Sequence, residues 1–378
     1  MSRIAIATLQ GRNYGGRLQN YALLTLLTKH QHKVQSLFFG KDSNPLYPTA
    51  LSRLKQYSIK EIVEKGLSVY KERKHKHEIL SLLQTRFSMF DSFIAEHLNR
   101  IKIQTNEDRN SLGDLFDVLV CGSDQIWNPN SIDDESFVGS NTGNIKRKIS
   151  YAASIGRGSL SKYEAAYMIP RINALDAISV REQSAKKILE DCGVTKPIKV
   201  VLDPTLLLAS EDWNQICSER LIEEPYVFVY SFSDCKLKYQ IVEQYKKQGK
   251  RVVFIPYARR VWNCYDGASP MQPLYDIGPR EFLSLIKYAD VVFTDSFHSS
   301  VFSIIFNKRF YVFERSNQNE KTSMNSRIYD LLSTFSLEKC LLNNSLPDKD
   351  GSIDYSYVNE HILQLREDSI KWLLNAVE

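Results

Sequence analysis

The stretch that decides the fold is VVFTDSFHSSVFSIIFNKRFYVF, residues 291–313. A short apolar run from Val291 to Thr294 is typical of a buried strand, and a second run follows from Arg309 to Phe313. Between them, Ser296 stands where the N-cap of an apolar helix is expected. A strand, a helix and a second strand in this order are typical of a parallel sheet with crossover helices.

The same alternation of strand and helix extends to both sides of this stretch. Further strands are predicted at Ile4–Leu9, Val118–Cys121, Ile149–Ser154, Ala177–Val180, Ile198–Leu202, Tyr226–Phe232 and Arg251–Ile255. Helical patterns lie between them, for example at Lys236–Lys247 and near Pro279–Tyr288. The sequence therefore predicts an α/β protein with two Rossmann-like, doubly wound domains that face a cleft.

The alternation of predicted strands and helices is interrupted near residue 208, after the Asp203-Pro204 pair. We predict a first domain over residues 1–208 with a helical insertion at about 42–110, and a second domain over residues 209–354. An amphipathic pattern over residues 355–378 predicts a final helix that packs back on one of the two domains.

Composition excludes several classes of protein. The 378 residues are 43% hydrophobic and 25% charged, as in ordinary soluble globular proteins. A net charge of +5 is too small to favour a nucleic-acid partner. The six cysteines include no CxxC pair, so we expect neither a metal site nor a disulfide scaffold. No signal peptide or membrane span is evident, and we expect a cytoplasmic protein.

Most of the excess positive charge lies in one predicted helix, residues 52–78, which holds eight Lys or Arg and four acids. Such a basic segment most commonly belongs to a helical insertion that is exposed to solvent. The alternative is peripheral contact with the inner face of a membrane, through anionic headgroups or a lipid-linked phosphorylated acceptor.

His298 is the strongest candidate for chemistry. It falls in the first turn of the helix that Ser296 opens, at the carboxyl edge of a parallel sheet, where open α/β folds bind ligands. Free backbone amides at a helix start bind anions, and Ser299 adds a hydroxyl.

Two other strand ends carry polar side chains. Arg181 follows the strand Ala177–Val180 and suits a carboxylate or phosphate, although an ion pair with Glu182 would explain it equally. The loop GSDQIWNP follows Val118–Cys121 and offers Ser123, Asp124 and Gln125, with Trp127 as a stacking platform for a sugar ring. Asp124 could act as a general base, although turn chemistry also explains this loop.

Two loops complete the candidate set. In NYGGRLQNY, residues 13–21, Gly15 and Gly16 would let a ligand approach the backbone, but no nucleotide fingerprint is present. Lys321 and Arg327 lie in the polar region after Phe313 and could close over an anion, although loop charges are usually only solvated.

Together these motifs resemble the polysaccharide pyruvyl transferase family. The matching stretches are NYGGRLQNYAL, DVLVCGSDQIWNP, YAASIG, ISVREQSAKKIL, VVLDPTLLL, FTDSFHSSVFSIIFNKRFYVF and SRIYDLL. They occur in the family's order from residue 4 to about 332, and DSFH is the most specific of them. Relatives commonly have Gly-Thr where this chain has Ser299-Ser300.

The resemblance implies a fold like that of the B-type glycosyltransferases, phosphoenolpyruvate as donor and no cofactor. It implies a sugar diol in a cell-surface polysaccharide, such as an exopolysaccharide or capsule, or in its lipid-linked precursor, as acceptor. The product would be a pyruvate ketal.

Assigned to the residues, the donor would bind to Arg181, Ser296, His298, Ser299, Lys321 and Arg327, with His298 as general acid. The acceptor would bind to Asn13, Tyr14, Gln19, Ser123, Asp124, Gln125 and Trp127.

Two other functions remain open at this point. A nucleotide-sugar-dependent glycosyltransferase would use the same two-domain fold, although no acidic residue of the second domain is clearly placed to bind a ribose. A non-catalytic carbohydrate-binding protein of a polysaccharide assembly complex would keep the fold without the chemistry. The joint presence of His298 and Arg181 favours an enzyme.

Overall fold

The structure is a computed structural model, and it describes residues 1–39, 70, 76–129, 137–139, 142–233, 236–256, 271–314, 325–342, 347 and 351–378. The apolar runs form two parallel sheets. The strands of the first are β1 (Arg3–Ala7), β2 (Lys33–Phe39), β3 (Arg100–Ile103), β4 (Val118–Asp124), β5 (Arg147–Ala153), β6 (Ala177–Val180) and β7 (Ile198–Val200). Their spatial order is β3-β2-β1-β4-β5-β6-β7, and every pairing is parallel.

The second sheet repeats this design. Its strands are β8 (Tyr226–Tyr230), β9 (Arg251–Phe254), β10 (Gln272–Pro273), β11 (Val291–Thr294), β12 (Phe310–Phe313) and β13 (Leu341–Leu342). They lie in the order β10-β9-β8-β11-β12-β13, again all parallel. The α/β fold with two doubly wound units, predicted from the sequence, is confirmed.

Helices connect the strands of both sheets. They are α1 (Tyr14–Lys29), α2 (Lys76–His97), α3 (Asn106–Asn110), α4 (Leu112–Leu115), α5 (Lys162–Asn173), α6 (Gln183–Asp191), α7 (Pro204–Leu207), α8 (Ser210–Ile216), α9 (Lys236–Lys247), α10 (Pro279–Lys287), α11 (Phe297–Ile305), α12 (Ser326–Thr334) and α13 (Tyr355–Val377). No helix in these described ranges is both long and apolar enough to cross a membrane.

The predicted insertion at residues 42–110 needs a correction. Residues 100–103 form the edge strand β3, which pairs with β2 and so belongs to the first sheet. With only four residues, β3 is too short to give a clear alternating pattern in the sequence. Of the predicted basic helix 52–78, only Tyr70 and residues 76–78 are among the described residues, so the membrane contact assigned to it lies outside them.

Strand order decides which loops can form a site. In the first sheet the order reverses between β1 and β4, and in the second between β8 and β11. At such a switch point the connecting segments leave in opposite directions, and a crevice opens at the carboxyl ends of the two strands. The residues after β1, β4, β8 and β11 therefore lie where a parallel α/β sheet binds its ligand.

Aromatic packing joins the two units. Tyr14, at the start of α1, stacks on Phe282 of α10 with ring centroids 4.5 Å apart. Its hydroxyl donates to the carbonyl of Ile277 at 2.8 Å. One buried hydrophobic cluster accordingly contains residues of both units.

The last helix contacts the first unit. Arg366 of α13 donates to the carbonyl of Leu206 at 2.7 Å, and the hydroxyl of Ser369 accepts from the amide of Leu202 at 3.0 Å. At the other end of α13, the carbonyl of Ala376 accepts from Arg147 at 2.6 Å. The four described cysteines, Cys121, Cys192, Cys217 and Cys340, form no disulfide.

Arg86 of α2 ties the first unit to the second. Its buried guanidinium donates to the carbonyls of Pro256, Leu274 and Tyr275 at 2.9, 3.1 and 2.8 Å. Each carbonyl would lose a charged donor without this side chain, and hydrogen bonds to charged groups contribute about 1.5–3 kcal/mol each.

We predict that Arg86→Met lowers the free energy of unfolding by about 3 kcal/mol or more. Arg12→Met is the matched control, because Arg12 also contacts α2 but does so through an exposed ion pair with Asp91, worth about 1 kcal/mol or less. Urea unfolding followed by circular dichroism measures both. Equal effects of the two substitutions would contradict the role given to Arg86.

Candidate functional site

The turn between β11 and α11 fixes the position of His298. The hydroxyl of Ser296 accepts from the amide of Ser299 at 3.4 Å and so caps the helix. The hydroxyl of Thr294 accepts from the amide of Ser296 at 3.0 Å and donates to the carbonyl of Tyr230 on β8 at 2.6 Å. His298 therefore enters the first helical turn as a buried side chain at the carboxyl edge of the second sheet.

Asp295, just before the cap, has a structural role. Its carboxylate accepts from the amides of Phe232 and Ser233 at 2.9 and 2.8 Å and from the hydroxyl of Ser231. These contacts fix the loop after β8 to the loop after β11. The acidic residue of the DSFH motif thus organises the switch point and is itself fully buried.

Asp203 joins the two units at the site. Its Oδ2 lies 2.8 Å from Arg181 Nη1, which follows β6, and 3.5 Å from His298 Nε2 in the second unit. Its Oδ1 accepts from the amide and hydroxyl of Thr205 at 3.0 and 2.7 Å and so caps α7. One carboxylate therefore makes a hydrogen-bonded ion pair with the arginine and lies beside the histidine.

The charges in this cluster stabilise one another. Burial by itself raises the pKa of Asp203, but the charge and hydrogen bonding of His298 and of Arg181 outweigh burial and hold that pKa well below its usual range. For Arg181, burial opposes the charged form, but the carboxylates of Asp203, Glu182 and Asp124 reverse this effect and raise the pKa of the guanidinium. Both groups are therefore charged at neutral pH.

The guanidinium of Arg181 has hydrogen-bond donors that no described residue accepts from. Its guanidinium lies over the ring of Phe297 at 4.0 Å, and its Nη1 is 3.7 Å from Asp124 Oδ1. Its Nε and Nη2 have no hydrogen-bond partner among the described residues. A buried guanidinium with two unused donors is suited to an anion.

The backbone of α1 contacts the histidine. A Cβ atom built at Gly15 would overlap the imidazole ring of His298, so only glycine fits there. A Cβ at Gly16 would meet its nearest atoms, in Asn13 and Asp124, at 3.8 and 3.9 Å, which is ordinary contact. Gly15 thus brings the first unit against His298 of the second, and Gly16 lies in ordinary contact with Asp124 of its own unit.

The end of β4 presents a carboxylate to the same edge. Asp124 adopts a φ of 69°, in the left-handed region, and its side chain is 13% exposed. Gln125 is also partly exposed and accepts from Asn128 at 2.8 Å. Asn13 is exposed and caps α1 by accepting from the amide of Gly16. These three predicted acceptor residues have access to solvent.

Four other predicted acceptor residues are buried, and we correct their roles. Trp127 is fully buried and donates to the carbonyl of Phe137 at 2.8 Å, so it is no stacking platform for a sugar. Tyr14 belongs to the packing between the units. Gln19 accepts from the amide of Ser123 at 3.1 Å, and the hydroxyl of Ser123 donates to the carbonyl of Ala152 at 2.9 Å. These two brace the loop from beneath and cannot reach a ligand.

Of the residues predicted to bind the donor, some are buried in the described part of the chain and one lies outside it. Ser296 and Ser299 are buried in the cap, and the hydroxyl of Ser299 has no hydrogen-bond partner among the described residues. Arg327 opens α12 and is buried. Lys321 lies outside the described residues.

A cavity of about 280 Å³ adjoins Arg181. Its polar walls include Arg181, Glu182, Asp203 and Arg327, with Phe297 beside them. Leucines of α7, α12 and α13 add apolar wall, and Asp330 and Asp368 add further acidic side chains. The cavity is large enough for a small molecule, and its polar wall carries charges of both signs. The same described residues contain no group of three or more His, Cys, Asp or Glu side chains that could hold a metal ion.

Comparison with known proteins identifies a family. The family model described as polysaccharide pyruvyl transferase matches residues 13–317, which is most of the chain. No curated protein matches the sequence.

Solved structures are similar to this chain over most of its length. A UDP-N-acetylglucosamine 2-epimerase is 10% identical, with a TM-score of 0.50 over 99% of this chain and 95% of that chain. A putative UDP-N-acetylglucosamine 2-epimerase from Listeria monocytogenes is 12% identical, with a TM-score of 0.49 over 98% and 90%. AviGT4, a glycosyltransferase involved in avilamycin A biosynthesis, is 10% identical, with a TM-score of 0.48 over 100% and 97%. At such low identity, the first of these similarities indicates a common fold alone.

We predict that Asp203→Asn lowers the free energy of unfolding by about 3–5 kcal/mol at pH 7, because it removes the nearest counter-charge of a buried arginine. The pKa of Asp203 lies below that of an unfolded aspartate, so its contribution is complete above about pH 4 and is lost only as the pH falls further. The loss should therefore persist at pH 5.

Urea unfolding at pH 7 and pH 5 measures this difference. Asp191→Asn, which removes an exposed ion pair with Lys187, is the control and should cost less than about 1 kcal/mol. An Asp203→Asn protein as stable as the control would show that the buried contacts contribute little.

Proposed function

The chain belongs to the polysaccharide pyruvyl transferase family, and on that basis we propose that it transfers the enolpyruvyl group of phosphoenolpyruvate to two hydroxyls of one sugar. The product is a pyruvate ketal, and phosphate is released. The acceptor is a sugar of a cell-surface polysaccharide or of its lipid-linked precursor. The observation that supports this proposal most directly is the buried cluster of Arg181, Asp203 and His298.

Phosphoenolpyruvate carries a phosphate and a carboxylate close together. Its site therefore needs several cationic side chains or N–H groups that can form hydrogen bonds to these anions. The two unused nitrogens of Arg181 supply some of them. Arg327 faces the same cavity, and the capped start of α11 adds the positive end of a helix dipole. Lys321 is proposed as a further cation on the sequence alone.

The reaction joins two oxygens to one carbon. The methylene carbon gains a proton, and the first hydroxyl oxygen bonds to the neighbouring carbon as that hydroxyl loses its proton. Phosphate then leaves with the electron pair of its C–O bond, and the second hydroxyl oxygen takes its place as it too loses a proton. Of the two protons that the diol gives up, one balances the new methyl group and the other leaves with phosphate.

His298 transfers a proton to the phosphate, and Asp124 takes a proton from the acceptor. His298, held by Asp203, contacts the donor phosphate and acts as the general acid for its departure. Asp124 lies on the partly exposed rim of the first unit, where it receives a proton from the acceptor hydroxyl. Gln125 and Asn13 orient the sugar from the same rim.

The assay follows phosphate release from phosphoenolpyruvate in the presence of lipid-linked or synthetic glycosides. We expect activity in excess chelator, since the sequence gives no metal motif. Thermal shift against nucleotide sugars tests the glycosyltransferase alternative, because a ligand at about 100 times its Kd stabilises a protein by about 2.7 kcal/mol. A shift with nucleotide sugars and none with phosphoenolpyruvate would overturn the proposal.

His298→Ala is predicted to lower the rate of phosphate release by at least about 10²-fold, because it removes the general acid. Circular dichroism should show that the protein remains folded. His30→Ala, at an exposed position, is the control and should behave like the wild type. A His298→Ala enzyme with near-normal turnover would refute the assigned role.

Gly15→Ala should displace the imidazole of His298 and lower turnover by about tenfold or more, since misplaced catalytic groups lose orientation. Gly16→Ala, one residue later on the same helix, makes only ordinary contacts and serves as the matched control. The ratio of the two kcat values is the measurement. Equal kcat values would show that the close approach of Gly15 does not position the histidine.

A further inference from the structure

Glu182 is a buried carboxyl group to which the mechanism above gives no role. It lies at the N-cap of α6, directly after Arg181, and is 3% exposed. Its Oε1 accepts from the hydroxyl of Ser154 at 2.7 Å and from the amides of Ile155 and Gly156 at 3.1 and 3.4 Å. Three donors therefore fix the orientation of the whole carboxyl group.

The other oxygen of Glu182 is unused. Oε2 has no hydrogen-bond partner among the described residues, and the Nε of Arg181 lies 3.6 Å away, beyond hydrogen-bond distance. The short ion pair of Arg181 is made with Asp203 at 2.8 Å instead. Glu182 adds to the negative charge around Arg181, but Asp203 makes the hydrogen-bonded ion pair.

Glu182 also lines the cavity beside Arg181, together with Arg327 and Phe297. The apolar part of this wall disfavours a charged carboxylate, and burial raises the pKa of Glu182 even though Arg181 and the hydrogen bonds from Ser154 and Gly156 oppose this. A carboxyl group in such surroundings is able to keep a proton at a pH where an exposed glutamate has lost it.

The ketal reaction needs a proton at two separate atoms of the donor. His298 is assigned to the phosphate oxygen, on the side of Asp203. The methylene carbon needs a different acid, one beside an apolar wall and close to the cations that hold the donor. Glu182 satisfies these conditions in the described part of the chain.

We propose that Glu182 is the general acid that protonates the methylene carbon of the enolpyruvyl group. This assignment rests on the proposed function. The carboxyl proton and the electron pair of the C=C bond form the new C–H bond, while the first sugar hydroxyl bonds to the neighbouring carbon and gives its proton to Asp124. Glu182, now a carboxylate, recovers a proton from the second hydroxyl as that oxygen closes the ketal. His298 gives its proton to the departing phosphate, and the proton held by Asp124 returns through solvent to His298.

Glu182→Gln tests this role, because the amide oxygen can keep the three contacts of Oε1 while the proton is lost. We expect kcat to fall by about 10²–10⁴-fold. The KM for phosphoenolpyruvate and its thermal shift should stay within a few-fold of the wild type. Glu190→Gln, exposed on the same helix, is the control and should have no effect.

The pH profile gives a readout that a purely structural role would not change. Wild-type kcat should fall as the pH rises through the pKa of Glu182, because only the protonated acid can react. The ratio of the Glu182→Gln kcat to the wild-type kcat should therefore rise with pH, because the variant has no proton at this position to lose and the contribution of His298 cancels in the ratio. Glu182→Asp should restore part of the rate and reduce the pH dependence of the ratio.

The outcomes separate the two proposals. A wild-type enzyme that forms no ketal from phosphoenolpyruvate would overturn the proposed function and this role with it. An active wild type with Glu182→Gln within threefold of it, or a ratio of the two kcat values that does not change with pH, would overturn the role of Glu182 alone. A Glu182→Gln enzyme that loses donor binding but keeps kcat would also overturn it, since Glu182 would then only position Arg181.

Discussion

The buried carboxylate of Asp203 is the constraint on which the site depends. A carboxylate removed from water is costly unless cations and hydrogen bonds replace its hydration. Arg181 supplies one cation from the first unit, His298 approaches from the second, and Thr205 satisfies the remaining oxygen. Because these partners come from both units, the position of one sheet relative to the other is linked to the geometry of the site.

This linkage requires close approach elsewhere. Gly15 allows α1 to contact the imidazole ring, and Tyr14 stacks on Phe282 across the same boundary. Arg86 fixes the far side of the boundary through three carbonyls. The candidate site is therefore a property of the packed pair of units, and neither sheet alone contains it.

The sequence predicted the parts of the site that follow from strand ends. His298 and Arg181 were found because a buried strand followed by a polar residue places that residue at the carboxyl edge of a parallel sheet. Asp203 was missed, because Asp-Pro after a strand is also the ordinary signal that the strand stops. Its position directly after the predicted strand Ile198–Leu202 was the signal that could have identified it.

Proximity to a strand end does not tell which side chains face the ligand. Ser123 and Asp124 are the last two residues of β4, and Trp127 lies three residues further on. Of the three, Ser123 and Trp127 are fully buried and only Asp124 is partly exposed. The short edge strand β3 was not predicted. It is defined by its pairing with β2, and a local sequence pattern does not show such a pairing. Contacts between residues that are far apart in the chain determine the fold, but they cannot be identified from the pattern of a short sequence segment.

The central claim is that this site condenses phosphoenolpyruvate with a sugar diol. The most direct measurement is mass spectrometry of a panel of lipid-linked or synthetic glycosides after incubation with the protein and phosphoenolpyruvate carrying ¹³C in its three carbons. The account predicts a product that contains all three labelled carbons as a ketal, with one phosphate released for each ketal formed. Transfer of a glycosyl group from a nucleotide sugar, with no labelled ketal on any acceptor, would contradict it.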